Sequence, residues 1–299
     1  MSRRSYTICA LMILGMLLFS TGCCLPSKGP PLGDPVPIGE GIAADVTTED
    51  VSQRINARSE QFQTLKGLGK VGIQNWEERY RFSQVFVLEK PGRFRLETLG
   101  AFDQPAVFLT SNNTVLSLYT KKHNKLYKGL ATQENLFRLS GLNLSVEDAI
   151  LVLSGNVPRL STITSEWGMP LDVENYYLER TSLNDEIVQR IWYDTTIQAV
   201  SKVQEYMLAN GILVLDIDFK KYIMTEEGYS LPTYILIDRP FDNIRVEIEY
   251  SSLFNINQSI DQTLFTFIPP VGAEEHILEN VYEKEVEPLV PYEEFRVSN

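Results

Sequence analysis

Short stretches in which apolar and polar residues alternate recur along most of this chain, and they limit its fold more than any other feature. Between residues 243 and 250, for example, Ile244, Val246 and Ile248 alternate with charged residues. Successive side chains of a β-strand point to opposite faces, so such a strand has one apolar and one solvated face. Short connections rich in turn-forming residues separate the stretches. The pattern predicts an antiparallel meander.

The number of these stretches sets the shape of the sheet. About eleven or twelve strands are too many for a flat open sheet, so we expect the sheet to curl into a barrel or half-barrel. The fold class is therefore α+β and mainly antiparallel β. The predicted strands cover residues 65–74, 78–88, 92–99, 105–111, 114–120, 125–128, 174–183, 186–193, 199–207, 212–220, 231–239 and 243–250.

About three helices accompany the strands. Thr-Thr-Glu-Asp at 47–50 and Ser-Val-Glu-Asp at 145–148 have the spacing of a capping box, which favours helix initiation. They predict one helix that ends near Gln63 and a second that stops at Gly155. A third, shorter helix is expected over residues 132–139.

The N-terminal residues 1–22 are typical of a signal peptide. Arg3 and Arg4 precede an apolar run that is shorter than the ~20 residues of a membrane-spanning helix. Ser-Thr-Gly then precedes Cys23, and this order resembles the lipobox of bacterial lipoproteins. The resemblance implies cleavage before Cys23 and acylation of that cysteine, which would anchor the mature protein in a membrane without spanning it. An ordinary signal peptide followed by incidental cysteines is the alternative.

The remaining chain divides into three parts. Residues 23–46 carry the acylated cysteine and a proline-rich tether, which is expected to be extended. Residues 47–271 form the folded domain. Residues 272–299 are acidic and are expected to be largely disordered, with at most a short helix over 276–282.

The charge balance limits the partners. The chain has 27 basic and 39 acidic residues, a net charge of −12. Loss of Arg3 and Arg4 with the signal peptide leaves 25 against 39, or −14. No nucleic acid partner is expected, because phosphate backbones are bound by clusters of Lys and Arg. Attraction to an anionic membrane by overall charge is disfavoured for the same reason.

Two sequence signals suggest chemistry but lack its structural context. Residues 67–72 fit G-x-G-x-x-G, yet they lie in a predicted strand that follows a helix, whereas a dinucleotide site needs a strand before the glycines and a helix after them. We therefore expect no nucleotide and interpret the glycines as allowing bending or close strand approach. His123 and His276 have neither a nucleophile motif nor metal-ligand spacing, so no enzyme activity, metal or cofactor is expected.

Three segments together resemble a known family. Phe62–Gly69, Phe94–Gly100 and Leu264–Gly272, the last a phenylalanine strand that closes in Pro-Pro-Val-Gly, are similar in order and residue type to the LolA/LolB-like superfamily. These proteins are periplasmic carriers and outer-membrane receptors of lipoproteins. The similarity covers about residues 51–272, and the lipobox favours the lipid-anchored LolB-type branch. Cys24, rather than Asp, follows the acylated cysteine, which by family rules implies the outer membrane, at its periplasmic face.

The resemblance implies an antiparallel half-barrel whose concave apolar face, covered by helices, holds the acyl chains of lipoproteins delivered by a carrier. It also implies a protruding loop with an apolar residue that enters the membrane, and Phe102 occupies that place. A side chain folded back onto the sheet is the alternative for Phe102. Alternation along the strands indicates which residues would line the cavity, and the same residues are consistent with a filled core. These residues are Tyr80, Phe82, Phe86, Phe94, Leu96, Ile244, Val246 and Ile248.

Two functions follow. The first is an outer-membrane lipoprotein that receives acylated lipoproteins in its cavity and helps to insert them into the outer membrane. The alternative is a structural or sensory envelope lipoprotein that uses the same fold, with a filled core, to bind a protein partner. An open cavity would distinguish the two.

Overall fold

The computed structural model describes residues 34–35, 45–75 and 78–278. The predicted signal peptide and Cys23 therefore lie outside the described residues, as does 279–299. The described helices are α1 (Thr48–Gln61), α2 (Gln133–Ser140) and α3 (Val146–Leu153). The strands are β1 (Asp34–Pro35), β2 (Thr64–Gln74), β3 (Arg79–Glu89), β4 (Arg93–Leu99), β5 (Pro105–Asn112), β6 (Val115–Thr120), β7 (Lys125–Leu130), β8 (Ser165–Pro170), β9 (Asn175–Ser182), β10 (Ile187–Asp194), β11 (Ala199–Met207), β12 (Leu213–Met224), β13 (Ser230–Arg239), β14 (Ile244–Ile256) and β15 (Glu274–Ile277).

One sheet contains all of these strands. Its order is β15-β7-β6-β5-β4-β3-β2-β14-β13-β12-β11-β10-β9-β8, and β1 pairs with β12. Fourteen strands ~4.8 Å apart would span more than about 60 Å if flat. Yet one apolar core contains both Leu118 of β6 and Leu178 of β9, near opposite ends of this order. The sheet is therefore curled and open, which confirms a mainly antiparallel α+β half-barrel.

The helices begin where the capping sequences predict. Thr47 and Asp50 form both hydrogen bonds of a capping box, and α1 ends at Gln61, two residues before the predicted end. Ser145 caps α3 through the Asp148 N–H. Helix α1 packs on β8 and β9, whereas α2 packs on β6 and β7. The helices thus cover the two halves of the concave face.

The twelve predicted strands are present, and three more were missed. β1 lies in the tether and pairs with Ile223 and Met224 of β12. β8 follows the helical segment. β15 pairs with β7 in parallel, so the expected disorder of the tail from residue 272 is wrong for 274–277, and so is a helix that begins at His276. β1 and β15 are too short to show alternation, and partner strands distant in sequence hold them. β8 pairs with its neighbour β9, but it contains Gly168 and Pro170, which are residue types depleted in strands.

The segment Leu264–Ile268 is also not a strand. Its first residues belong to a 3-10 turn at Gln262–Phe265, in which Phe265 is buried. The Phe267 ring stacks on Tyr119, with ring centroids 4.7 Å apart. The phenylalanines thus pack individually onto the meander and do not form another strand.

The glycines of 67–72 serve the sheet. They lie within β2, next to bulges in the pairing with β14. A Cβ atom on Gly69 would lie 2.7 Å from the backbone oxygen of Glu249, and one on Gly67 would lie 3.0 Å from that of Ser252. These glycines permit a close approach of two strands, as predicted.

Candidate ligand cavity and exposed aromatic turn

An apolar cavity lies between the concave face of the sheet and the helices α2 and α3. Its volume is about 110 Å³. The sheet contributes β2 to β5, β13 and β14, and the cover is formed by α3 and the segment that links it to α2. The residues around the cavity are Val71, Ile73, Phe82, Gln84, Phe86, Leu96, Thr98, Val107, Leu109, Ser140, Leu142, Leu144, Ala149, Val152, Leu153, Ile237, Val246 and Ile248.

The cavity wall offers few polar groups. Of its three polar side chains, Thr98 donates a hydrogen bond to the Gln84 Oε1 atom at 3.0 Å. Ser140 donates to the Leu136 carbonyl oxygen of its own helix at 2.7 Å. Because these hydroxyl groups are satisfied within the protein, the surface suits an apolar ligand.

Five of the eight candidate residues line the cavity, namely Phe82, Phe86, Leu96, Val246 and Ile248. The other three are buried elsewhere. Tyr80 and Phe94 belong to the apolar core, and Ile244 lies at the start of β14. Whether any of the eight contacts a ligand stays a prediction.

Sequence reasoning missed the cover of the cavity. The linker residues Leu142 and Leu144 and the helix residues Ala149 and Val152 face the sheet across the cavity. Only the apolar spacing along 146–153 indicated that one side of α3 is buried. Which strands lie opposite that side depends on the curl of the sheet.

Tyrosine side chains fix the C-terminal end of α3. Tyr250 donates a hydrogen bond to the Leu153 carbonyl oxygen at 2.9 Å, and Tyr229 donates to that of Ser154 at 2.8 Å. Carbonyl groups in the last turn of a helix have no partner within the helix, so these bonds satisfy groups that would otherwise be buried and unpaired. Burial raises the pKa of both hydroxyls, which therefore stay protonated donors. The end of α3 is thus attached firmly to the sheet.

The cavity is small for an acyl chain. At about 110 Å³ it is smaller than the ~150 Å³ apolar cavity that holds one benzene molecule. A long acyl chain therefore requires the cover to move. Tyr229 and Tyr250 hold the end of α3, whereas the described hydrogen bonds of the linker residues 141–144 reach only α2 and the linker itself. The linker is therefore the part of the cover that is least attached to the sheet.

Phe102 is exposed at the turn between β4 and β5. Its side chain is 95% exposed, which excludes packing back onto the sheet. Both Phe102 (φ 60°) and Asp103 (φ 56°) have left-handed backbone conformations. Such a conformation is unusual for an aromatic residue and costs on the order of 1–3 kcal/mol. The Gly100 N–H, which donates to the Gln104 carbonyl oxygen at 2.8 Å, closes the turn.

The cavity and Phe102 lie toward the same end of the strands. Ile73 and Val246, both at the cavity, are paired near the end of β2. At that end β4 also turns into β5, and Phe102 projects from this turn. We refer to this end of the strands as the Phe102 end. An apolar group that leaves the cavity there would emerge close to an exposed aromatic side chain.

No helix in the described part of the chain combines the length and apolar character needed to cross a membrane. The sequence matches no family model and no curated protein.

Solved structures show a partial likeness. A domain named for outer-membrane lipoprotein sorting, from Vibrio parahaemolyticus, is 17% identical, with 74% of this chain and 97% of that chain covered and a TM-score of 0.49. A LolA superfamily protein from Nitrosomonas europaea is 11% identical, with 74% and 98% covered and a TM-score of 0.47. A DUF1329 family protein from Desulfovibrio piger is 16% identical, with 78% and 98% covered and a TM-score of 0.49. At these TM-scores the likeness does not decide the family of this chain.

Proposed function

We propose that this chain is a lipid-anchored outer-membrane lipoprotein that receives the acyl chains of other lipoproteins in its apolar cavity and helps to insert them into the membrane. The observation that carries the proposal is an apolar cavity under a helical cover, placed toward the same end of the sheet as the exposed Phe102. Acylation of Cys23 would hold the domain at the periplasmic face of the outer membrane. Its partners would be acylated lipoproteins and the periplasmic carrier that delivers them.

The energetics of this role need no chemical step. Each CH₂ group removed from water contributes about 0.8 kcal/mol, so an acyl chain gains several kcal/mol in an apolar site. Because the cavity is small, part of this gain is spent on displacing the linker between α2 and α3. A chain held in this way is released readily into a bilayer, because the lipid interior offers the same gain without that cost.

A change of cavity volume tests the proposal. Ala149 lies on α3 and faces the cavity, so Ala149→Leu adds an isopropyl group to the space that the ligand needs. We expect the full chain to bind a fluorescent 16-carbon fatty acid, and Ala149→Leu to weaken that binding at least about tenfold, or 1.4 kcal/mol. Glu147→Leu, which adds a leucine to the solvated side of the same helix, is the matched control and should bind as the wild type does.

Lipoprotein transfer from a carrier is measured in parallel. If the wild-type chain binds no acyl probe and takes up no lipoprotein, the receptor proposal is wrong, and the structural or sensory lipoprotein becomes the better interpretation. Equal binding by wild type and Ala149→Leu would show that the acyl chain lies outside this cavity.

A further inference from the structure

A second, polar cleft lies at the opposite end of the strands. Its volume is about 480 Å³, and it is bordered by α1, the turn from β10 to β11 and the turn from β12 to β13. Arg54 and Arg58 line it from α1. Residues four apart on a helix lie on the same face, so the two guanidinium groups belong to one side of the cleft.

Arg58 is buried, and no described carboxylate forms an ion pair with it. Its Nη1 and Nη2 atoms donate to the Oγ and carbonyl oxygen of Ser230 at 2.9 and 2.6 Å, and its Nε atom donates to the Gly155 carbonyl oxygen at 3.4 Å. The guanidinium carbon lies 4.6 Å from the centre of the Tyr229 ring. These contacts hold the side chain in place but leave two of its five N–H groups available.

Arg54 gives a stronger indication of a bound ligand than Arg58 does. Its Nη1 atom is buried and, among the described residues, has no hydrogen-bond acceptor. The guanidinium group interacts with the Tyr193 hydroxyl, whose pKa is raised by burial against the opposing effect of the two arginine charges. A buried charged donor without an acceptor is costly, and in a native protein it commonly indicates an unseen water or ion.

The surrounding charges favour an anion. In the described part of the chain, no carboxylate forms an ion pair with Arg54 or Arg58. Two acids lie near the pair. Asp50, one helical turn before Arg54, is within electrostatic reach of the Arg54 charge, but its carboxylate accepts hydrogen bonds from Thr47. Asp194, at the end of β10, accepts hydrogen bonds from Thr196 and Ile197 of the adjoining turn. In a chain with 39 acidic residues, two neighbouring arginines that form no ion pair with any described carboxylate are unexpected for a purely structural pair.

We propose that this cleft binds a phosphate-type oxyanion. Guanidinium groups match phosphate oxygens in charge and in hydrogen-bond geometry. A tetrahedral phosphate has enough oxygens to accept from both arginines and from a hydroxyl such as that of Tyr193, whereas a carboxylate has two. The cleft is large enough for a substituent on the phosphate, so the source is either a free phosphate or a lipid headgroup. The site is remote from the Phe102 end and does not depend on acyl-chain binding.

The test is calorimetric titration of the full chain in detergent with two probes, inorganic phosphate and a water-soluble dibutyryl phosphatidate. We expect one-to-one binding that weakens at least tenfold in Arg54→Gln. Arg54→Lys, which keeps the charge but loses the planar fork of donors, should be intermediate. The control is Arg245→Gln, which removes the same charge from an exposed ion pair with Asp238.

The two probes distinguish between the possible sources of the phosphate group. A phosphatidate at least tenfold tighter than inorganic phosphate would identify a lipid headgroup as the source, and equal affinities would identify free phosphate. Absence of binding by both probes to the wild-type chain overturns the proposal. So does binding that Arg54→Gln and Arg245→Gln weaken equally, since that pattern indicates a response to overall charge. Thermal unfolding of the Arg54 variants checks that they remain folded.

Discussion

Glu205 shows how a single residue can set a pH dependence in this protein. It lies on the same side of β11 as the buried Val203, and its Oε1 atom accepts a hydrogen bond from Gln189 Nε2 at 2.9 Å. Burial raises the pKa of Glu205 to about 7, and this hydrogen bond opposes the shift only in part. The buried Gln189 Oε1 atom has no donor among the described residues. A protonated Glu205 can supply one, so the neutral form suits the site.

This geometry predicts a loss of stability as pH rises. The unfolded chain releases the Glu205 proton near pH 4.5, whereas the folded chain retains it to about pH 7. The contribution is therefore fully present below pH 4.5 and declines between pH 4.5 and 7. We expect Glu205→Gln, which stays neutral, to flatten that decline and to exceed the wild type in unfolding free energy at pH 8. Urea denaturation at pH 4.5, 6 and 8 measures this, and identical profiles would contradict the prediction.

Phe102 carries the second prediction at the residue scale. Because its side chain is exposed and touches little of the fold, Phe102→Glu should leave the thermal unfolding temperature nearly unchanged. In a bilayer, however, a buried phenylalanine contributes about 1.5–3 kcal/mol, and a carboxylate cannot replace it. We expect transfer of a lipoprotein into liposomes to fall at least tenfold.

A matched control comes from the other end of the strands. Val173, in the turn between β8 and β9, is 67% exposed, so Val173→Glu adds the same charge to an apolar surface position remote from the Phe102 end. It should transfer lipoprotein normally. If Phe102→Glu is fully active, the turn does not enter the membrane.

At the scale of the elements, the β2–β14 pair depends on a close approach of its two strands at Gly69. Gly69→Ala would place a methyl group 2.7 Å from the Glu249 carbonyl oxygen and 3.2 Å from the Phe86 ring. The strands would have to separate, so we expect a loss of about 1–3 kcal/mol in unfolding free energy.

Gly72 offers the comparison within the same strand. A methyl group there would lie 3.5 Å from the flexible Glu247 side chain and 3.8 Å from the Tyr80 carbonyl oxygen, and both are ordinary contact distances. Gly72→Ala should change the unfolding free energy by no more than about 0.5 kcal/mol. Urea denaturation of both variants checks the pair, and equal losses would show that close approach is not the reason for the glycine at 69.

At the scale of the whole molecule, the open sheet depends on its last strand. β15 covers the edge of β7, and the buried Leu278 that follows donates its N–H to the Lys128 carbonyl oxygen at 2.8 Å. A chain that ends after Gly272 would expose this edge and lose Leu278, whose burial is worth about 1.5–3 kcal/mol. A chain that ends after Leu278 keeps both.

We therefore expect the shorter chain to unfold at a clearly lower temperature and to aggregate more readily, since uncovered strand edges pair with other chains. The longer truncation should resemble the wild type. Thermal unfolding and light scattering compare the two, and equal behaviour would show that β15 adds nothing to the domain.

Local sequence determined the elements of this protein. The helix starts at Thr47 and Ser145 were predictable because a cap needs only neighbouring residues. Alternation identified twelve of the strands because a strand with one solvated face has a period of two. The sequence left the exposure of Phe102 open, because Gly100 and Asp103 predict a turn but do not determine where the Phe102 ring points.

Only the tertiary structure determined the remaining features, because these features depend on contacts between residues that are distant in the chain. The short strands β1 and β15 exist only through partners distant in sequence. The sheet curls, and the tyrosine hydrogen bonds hold α3 in position, so a cavity remains at a place where alternation alone is equally consistent with a filled core. In the same arrangement, Tyr80, Phe94 and Ile244 lie outside the cavity wall. The cleft of Arg54 and Arg58 likewise depends on three segments that meet only in the folded chain, and no spacing within α1 could have indicated it.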